Sequence, residues 1–440
     1  MASAPDDDTK PTHASSLIWL GGAVACLAFL AFGLLRPADG TVPFFVLLAL
    51  AAIGYFAALR QLAKGLRPSR RALIACAALA LAWRVPLLLA PVEPGADLPR
   101  YLWDARLVRA GLSPYAVVPA DPAFAHLRTS ESWPVNNPDV PSPYPPGAQL
   151  FFLAATALSE SALAIKLAFL LCDALLAFVV WRSLVAAGAN PGWVLAYLWS
   201  PLVSLEVARH GHIDVAGALC LAFAAFALVR GRALLGSIAF ALSIAVKPLA
   251  IVLLPLLWRR ISRRHVVAGV AVLLALYLPF WDRRRLPIGS VPEVIDRFRF
   301  NGPIFSEVAS LAGPAAATGF AIAAGLLVAA WARRRLPLAS AQAWAWPMAA
   351  ALLCAPLVYP WYLVWLAPFL VARDAMPLTI WTVSILGTYV VWQLAVPWAV
   401  PGWALLVEYG ALLGAALWLW RRNRLGRGVE LSSSASTSAP

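Results

Sequence analysis

Charge is scarce in this sequence. Asp, Glu, Lys and Arg make up 13% of its 440 residues, about half the share usual in a soluble domain. That deficit excludes a soluble globular enzyme and a disordered chain. Cysteine is scarce as well. Cys26, Cys76, Cys172, Cys220 and Cys354 all lie inside apolar runs, and none forms a Cys-x-x-Cys pair. A disulfide-stapled secreted module is excluded in turn. No internal repeat is visible. Apolar surface fills the chain instead: 62% of residues are hydrophobic and the mean hydropathy is +0.76. Runs of about 20 such residues recur nearly end to end, the length at which a helix crosses a bilayer. The expected fold class is an all-α polytopic membrane protein.

The apolar runs fall at 17–35, 42–59, 72–92, 161–181, 193–208, 212–229, 233–246, 249–257, 266–281, 314–331, 342–358, 361–372, 376–397 and 402–420. They predict a bundle of about 12–14 transmembrane helices. Pro and Gly interrupt many of them, which neighbouring helices permit. The first run is too long for a secretory leader and follows Asp6, Asp7 and Asp8, so it reads as a retained helix. Residues 1–16 are expected to be a cytoplasmic tail, and 17–71 to carry two N-terminal helices. Residues 72–420 then form the main membrane domain, and 421–440 a cytoplasmic tail with a disordered Ser/Ala-rich end.

A formal net charge of +14 would suit a nucleic-acid partner if the basic residues formed one patch. They do not. Arg60, Lys64, Arg67, Arg70 and Arg71 form one cluster, and Arg259, Arg260, Arg263 and Arg264 a second. Arg333 to Arg335 and then Arg421, Arg422 and Arg424 follow. All sit in short turns between apolar runs, which is the bias of cytoplasmic loops. Membrane lipids are the expected surroundings, and no nucleic acid is. Placing these turns inside puts the long loop 93–146 outside. The segment 147–159 either crosses or lies in the interface. Only the second choice keeps Arg182, Arg230 and Arg232 inside, and it leaves both termini in the cytoplasm. Polar stretches then share the outer face: 93–146, His210 to Asp214, Lys247-Pro248, 282–303 and Tyr359 to Tyr362. Polar groups are costly at membrane depth, so their convergence marks a candidate site.

The stretch from Pro91 to Tyr115 carries Glu93, Asp97, Arg100, Asp104, Arg106 and Arg109. Tyr101, Leu102, Leu107 and Val108 alternate with these charges at helical spacing, which predicts a short amphipathic helix on the outer surface. Asp97 stands near its start. It can cap the helix or act as a general base at the membrane surface, and local sequence alone favours the cap. Pro141 to Gly147 form a rigid loop bearing Tyr144, either a linker or a substrate clamp. Lys247, one of only four lysines, sits in an apolar stretch. It is either a snorkelling cation or an anchor for an anion. Lys166 and Arg84 read as snorkelling or helix-pairing cations. His210 and His212, two apart, would diverge by about 200° on a helix. No metal is expected there; hydrogen bonding to phosphate or sugar hydroxyls is.

At this point the chain resembles a family. Asp97-x-x-Arg100-Tyr101-x-Trp103-Asp104-x-Arg106, then Gly111-x-x-Pro114-Tyr115, then Tyr144-Pro145-Pro146 are similar to the first outer loop of GT-C fold glycosyltransferases. The nearest likeness is to polyprenyl-phosphate-sugar-dependent enzymes of the glycosyltransferase 87 and bacterial mannosyltransferase type. Trp199-Ser200-Pro201 with Glu206 and Gly211-His212-x-Asp214 resembles the family's Trp-Asn-Pro and Gly-His-Asn-Asp segment. Lys247-Pro248, Asn301-Gly302 and Pro360-Trp361-Tyr362 resemble later elements. Ser200, Ile213 and Ala105 depart from the pattern. The likeness covers residues 72–372, so the helices before 72 read as an addition.

The resemblance implies a GT-C-like bundle whose first outer loop carries short juxtamembrane helices. It implies an inverting transfer of a sugar, mannose or another hexose or pentose, from a polyprenyl-phosphate donor to a lipid or glycan acceptor. The site would lie at the outer face of a bacterial inner membrane, with Asp97 as catalytic base and no cofactor. Arg100, Tyr101, Asp104, Arg106, Tyr144, Glu206, His212, Asp214 and Lys247 would bind substrates. Arg100, Lys247 and Arg209 are the cations offered to the donor phosphate. Two rival classes remain from sequence: a lipid-linked-sugar flippase or transporter, and an oligosaccharide ligase or polymerase.

Overall fold

The computed structural model describes residues 13–93, 95–281, 287–395 and 399–436. Most of the expected N-terminal tail, 282–286 of the outer stretch and the last four residues lie outside the described residues. Among the described residues no strand forms, and one isolated bridge pairs Phe300 with Leu357.

Among the described residues, eight helices are long and apolar enough to cross a membrane. The first three are α1 (His13–Leu35), α2 (Val42–Ala63) and α3 (Arg70–Leu88). Ser69 starts α3 by accepting from the Ala72 N–H at 3.2 Å. The helix α4 (Leu98–Arg109) lies in the outer loop, followed by α5 (Pro146–Ala155) and the long α6 (Ala162–Ala186). Helices Asp214–Val229 and Ala233–Val246 come next. The remaining passages at 191–210, 248–257 and 360–369 are strings of short turns. Pro191, Pro201, Pro248, Pro255, Pro360 and Pro368 open those turns, because proline donates no N–H to a continuing helix.

The segment 147–159 does not cross. Its helix α5 has ten residues, roughly 15 Å against a bilayer core of about 30 Å. Both of its ends meet α4: Gln149 Nε2 donates to Asp104 Oδ2 at 3.0 Å, and Arg109 Nη2 donates to Thr156 O at 3.1 Å. The helix is thus shorter than a full crossing and is tied to α4 at both ends.

Arginine-rich turns gather at one end of the bundle. Arg260 donates to the carbonyls of Arg333 and Leu336 at 2.9 and 3.0 Å, and Arg333 to that of Trp258 at 2.6 Å. These cations satisfy carbonyls that helix ends leave open. The first two helices are packed into the bundle. Tyr55 of α2 donates to Ala196 O at 2.7 Å. The α1 and α2 backbones touch through Gly21 and Gly54. A Cβ on Gly21 would stand 2.7 Å from Gly54 O, so only glycine admits this crossing.

Inside the bundle Arg84 pairs with Asp173 at 2.6 Å, and Tyr197 donates to the same carboxylate at 2.6 Å. Lys166 donates to Ala90 O at 3.0 Å and so ties α6 to the end of α3. The last helix, Gly402–Ser436, continues through residues expected to be a disordered tail.

Candidate active site

The end of the bundle opposite the arginine turns collects the acids and histidines. Asp97 precedes the first residue of α4 and already has helical backbone angles, φ −77° and ψ −21°. A capping side chain needs the extended conformation there, and Asp97 makes no side-chain cap bond. The capping expectation is thus overturned. The carboxylate points away from its helix instead. Asn136 Nδ2 donates to Oδ1 at 2.5 Å, and the Tyr144 hydroxyl donates to Oδ2 at 2.9 Å. Tyr101 reaches Oδ2 at 3.4 Å, and His212 Nδ1 stands 3.6 Å away. Burial pushes the Asp97 carboxyl up, but His212, the Tyr144 hydroxyl and the Lys247 charge outweigh it and hold it below the ordinary range. Asp97 is therefore ionised at neutral pH. Its side chain stays 14% exposed, enough to be reached.

The histidines converge because the helix does not stay an α-helix. Residues Ser204–His210 wind as a π-helix that ends at Gly211 in the left-handed region, φ 75°. The wider turn and the reversal at Gly211 bring His212 back over Glu206, whose carbonyl accepts its N–H at 3.0 Å. Divergence by 200° never arises, so the reason for expecting no metal here is gone. Glu206 Oε2 lies 3.4 Å from His210 Nδ1 and 3.3 Å from His212 Nε2. His212 stacks on Trp361 at 4.1 Å between ring centres.

Lys247 follows the helix Ala233–Val246. Its Nζ pairs with Asp214 Oδ1 at 2.8 Å and sits 3.9 Å above the Tyr362 ring. Trp365 Nε1 donates to the same Asp214 oxygen at 2.7 Å. Lys247 keeps 19% of its side chain exposed and remains a cation on the rim. Arg209 does not. It is buried against Pro37 O at 2.6 Å, Asp39 at 3.0 Å and Glu93 at 3.2 Å.

Asp97, Tyr101, Tyr144, Glu206, His212, Asp214 and Lys247 thus come together, while three expected binding residues stand elsewhere. Arg100 is buried, and its guanidinium donates to the carbonyls of Asn136, Asn137 and Val140 at 2.7, 2.6 and 3.2 Å. A forked cation satisfies three loop carbonyls at once. Arg100 therefore holds the loop that carries Asn136 to Asp97 and has no face left for a phosphate. Arg106 pairs with Glu160 on the surface.

Asp104 is fully buried with Ser142 and Gln149 under the Tyr144 loop. Burial pushes its carboxyl up to about 6, against the pull of Arg100, Ser142 and Gln149. A raised carboxyl binds its proton more tightly in the folded chain. The stability it contributes is complete below the unfolded value of 3.8 and is lost as pH rises through about 6. Thermal melts should show it. Between pH 4 and pH 6 the wild type should lose stability relative to Asp104→Asn, which stays neutral throughout, by about 3 kcal/mol at most. Parallel pH profiles for the two proteins would refute the assignment.

Sequence reading missed Asp39, Asn136 and Tyr389. Asp39 lies between α1 and α2 and reaches His210 Nε2 at 3.1 Å. Gly40 beside it, at φ 76°, lets the turn touch Tyr389, whose carbonyl would stand 2.1 Å from any Cβ there. The Tyr389 hydroxyl donates to Glu206 Oε1 at 2.8 Å. The available signal was the Arg-Pro-Ala-Asp-Gly turn, a polar break between two apolar runs.

A family model described as Alpha-(1->6)-mannopyranosyltransferase, N-terminal domain, matches residues 10–262, more than half of the chain. The match takes in α1 and α2, so these helices are part of the matched domain and not an addition to it. The contacts of Asp39 with Arg209 and His210 give the physical reason. No curated protein and no solved structure matches the chain.

Proposed function

The chain belongs to the alpha-(1->6)-mannopyranosyltransferase family, and on that premise we propose that it moves mannose from a polyprenyl-phosphate donor to a hydroxyl of a glycan or glycolipid at the outer membrane face. The family's description specifies an alpha-(1->6) product, so the acceptor oxygen is a primary 6-hydroxyl. Inversion at the sugar carbon then requires a β-linked donor. The acceptor oxygen bonds to that carbon as the carbon–phosphate oxygen bond breaks. The phosphate leaves with the bonding pair, and the acceptor proton passes to Asp97.

One observation carries this reading. An ionised, partly exposed carboxylate stands at the mouth of the polar end, relieved of capping duty and aimed by Tyr144 and Asn136. A base needs that combination of charge, reach and fixed direction. The Lys247 ammonium on the same rim supplies positive charge for the departing phosphate. Membrane-embedded apolar helices suit a donor with a polyprenyl tail.

A donor comparison tests the proposal. Purified protein is given mannose as the polyprenyl monophosphate, as a polyprenyl diphosphate conjugate or as a sugar nucleotide, and products are read by mass spectrometry. Transfer should occur from the monophosphate alone, with polyprenyl phosphate released. Release of polyprenyl diphosphate, or turnover of the nucleotide sugar, would overturn the donor assignment.

A further inference from the structure

The cluster of Glu206, His210 and His212 has a geometry that the transfer reaction alone does not explain. The three potential ligand atoms lie within 4.8 Å of one another. Glu206 Oε2 stands 3.4 Å from His210 Nδ1 and 3.3 Å from His212 Nε2. Ligands about 2.1 Å from a tetrahedral ion are about 3.4 Å apart. The two measured edges therefore match an ion that all three side chains would share.

The opposite ring nitrogens strengthen the case. His210 Nε2 faces Asp39 Oδ2 at 3.1 Å, and His212 Nδ1 faces Asp97 Oδ2 at 3.6 Å. A proton on each of those nitrogens suits the facing carboxylate. It leaves lone pairs on His210 Nδ1 and His212 Nε2, and both point toward a carboxylate oxygen that can only accept. Three ligand atoms then face one another, and the Tyr389 hydroxyl, 3.0 Å from His210 Nδ1, yields that nitrogen when an ion binds. Metal-bound histidines characteristically give their second N–H to a carboxylate, which fixes the tautomer. Each second nitrogen here lies beside a carboxylate, at 3.1 and 3.6 Å, without yet making that hydrogen bond. The Tyr389 hydroxyl occupies the other oxygen of Glu206 and leaves Oε2 facing the rings.

Charge points the same way. Arg209 is paired with Asp39 and Glu93, and Lys247 with Asp214, while the ion-pair contacts of Asp97 and Glu206 are with the two histidines. Glu206 is fully buried, and His212 is 5% exposed. Unbalanced negative charge at that depth is expensive, and a divalent cation would neutralise it.

We propose that Glu206, His210 and His212 bind one divalent first-row transition-metal ion of the zinc class, with its fourth position open. Two imidazoles and one carboxylate suit that ion, and such a set keeps a position for water or a substrate oxygen. The proposal rests on these side chains and stands apart from the identity of the sugar donor. Its consequence for the site is orientation. An ion on His212 Nε2 keeps the Nδ1 proton directed at Asp97.

The test needs no sugar. Full-length protein in detergent is stripped with dipicolinate, equilibrated with zinc sulfate or cobalt chloride, desalted and assayed for metal by mass spectrometry. About one equivalent should remain. The cobalt form should show the intense visible bands of a tetrahedral ion. X-ray absorption of the zinc form should show imidazole scattering at about 2.0–2.1 Å. Glu206→Gln and His212→Gln should lose the ion, while His265→Gln, at the arginine end beside Ser262, should keep it. The wild-type cobalt spectrum decides the matter even if a cluster variant fails to fold. Less than about a tenth of an equivalent in the wild type, a six-coordinate cobalt spectrum, or retention of the ion by a folded His212→Gln protein would each overturn the proposal.

Discussion

Asp97→Asn is expected to lower mannosyl transfer by about 10²–10⁴-fold, the usual effect of losing a general base, with little change in melting temperature. The two halves of that expectation come from different features. Asparagine keeps the shape of the carboxylate: its one oxygen accepts from Asn136, and its amide N–H can donate to the Tyr144 hydroxyl oxygen once that hydroxyl rotates. Asp97 makes no cap bond, so the helix start loses nothing. The amide cannot take a proton from an acceptor hydroxyl at any relevant pH, so only the chemistry is removed. Transfer rate, melting temperature and bound metal are measured on the same preparation. If more than about a tenth of the activity survives, Asp97 is not the base. Glu93 would then be the next candidate, because it is partly exposed beside Arg209, whereas Asp104 is sealed under the Tyr144 loop. Loss of activity together with loss of the fold would assign Asp97 to structure.

Much of the fold was legible because membrane spans announce themselves locally. Length and hydropathy located the long spans, while the runs at 193–208, 249–257 and 361–372 fold as strings of short turns. Residues Asp97, Tyr144, His212 and Lys247 were legible as a group because polar residues stand out against an apolar chain. Their roles were less legible. Arg100 and Lys247 look alike in sequence, each a cation on the polar side. The difference depends on where loop 136–140 folds back, a contact some 36 to 40 residues away along the chain. The convergence of the histidines was hidden for another reason. An α-helical projection separates His210 from His212, and the π-helix that reunites them leaves no periodicity to read. Asp39 was invisible as a site residue because its partner, His210, lies across the bundle in sequence.

Lys247 offers the second large effect, and a pair of substitutions separates its two possible duties. Its ammonium neutralises Asp214, which is 1% exposed and has one carboxylate oxygen without a partner. Lys247→Met should therefore strand a buried negative charge and destabilise the protein by about 3–5 kcal/mol, and it should abolish transfer as well. That result alone does not distinguish structure from donor binding. Adding Asp214→Asn removes the stranded charge while the amide oxygen still accepts from Trp365. The double variant should recover most of the melting temperature. Asp214→Asn alone, with the ammonium retained and released from its partner, should keep transfer. If Lys247 meets the departing phosphate, the double variant stays inactive although it is folded, because no cation replaces it on the rim. Arg209 cannot substitute, being held by Asp39, Glu93 and Pro37. If the double variant instead recovers transfer along with stability, Lys247 only balances Asp214, and the phosphate must be met by another group.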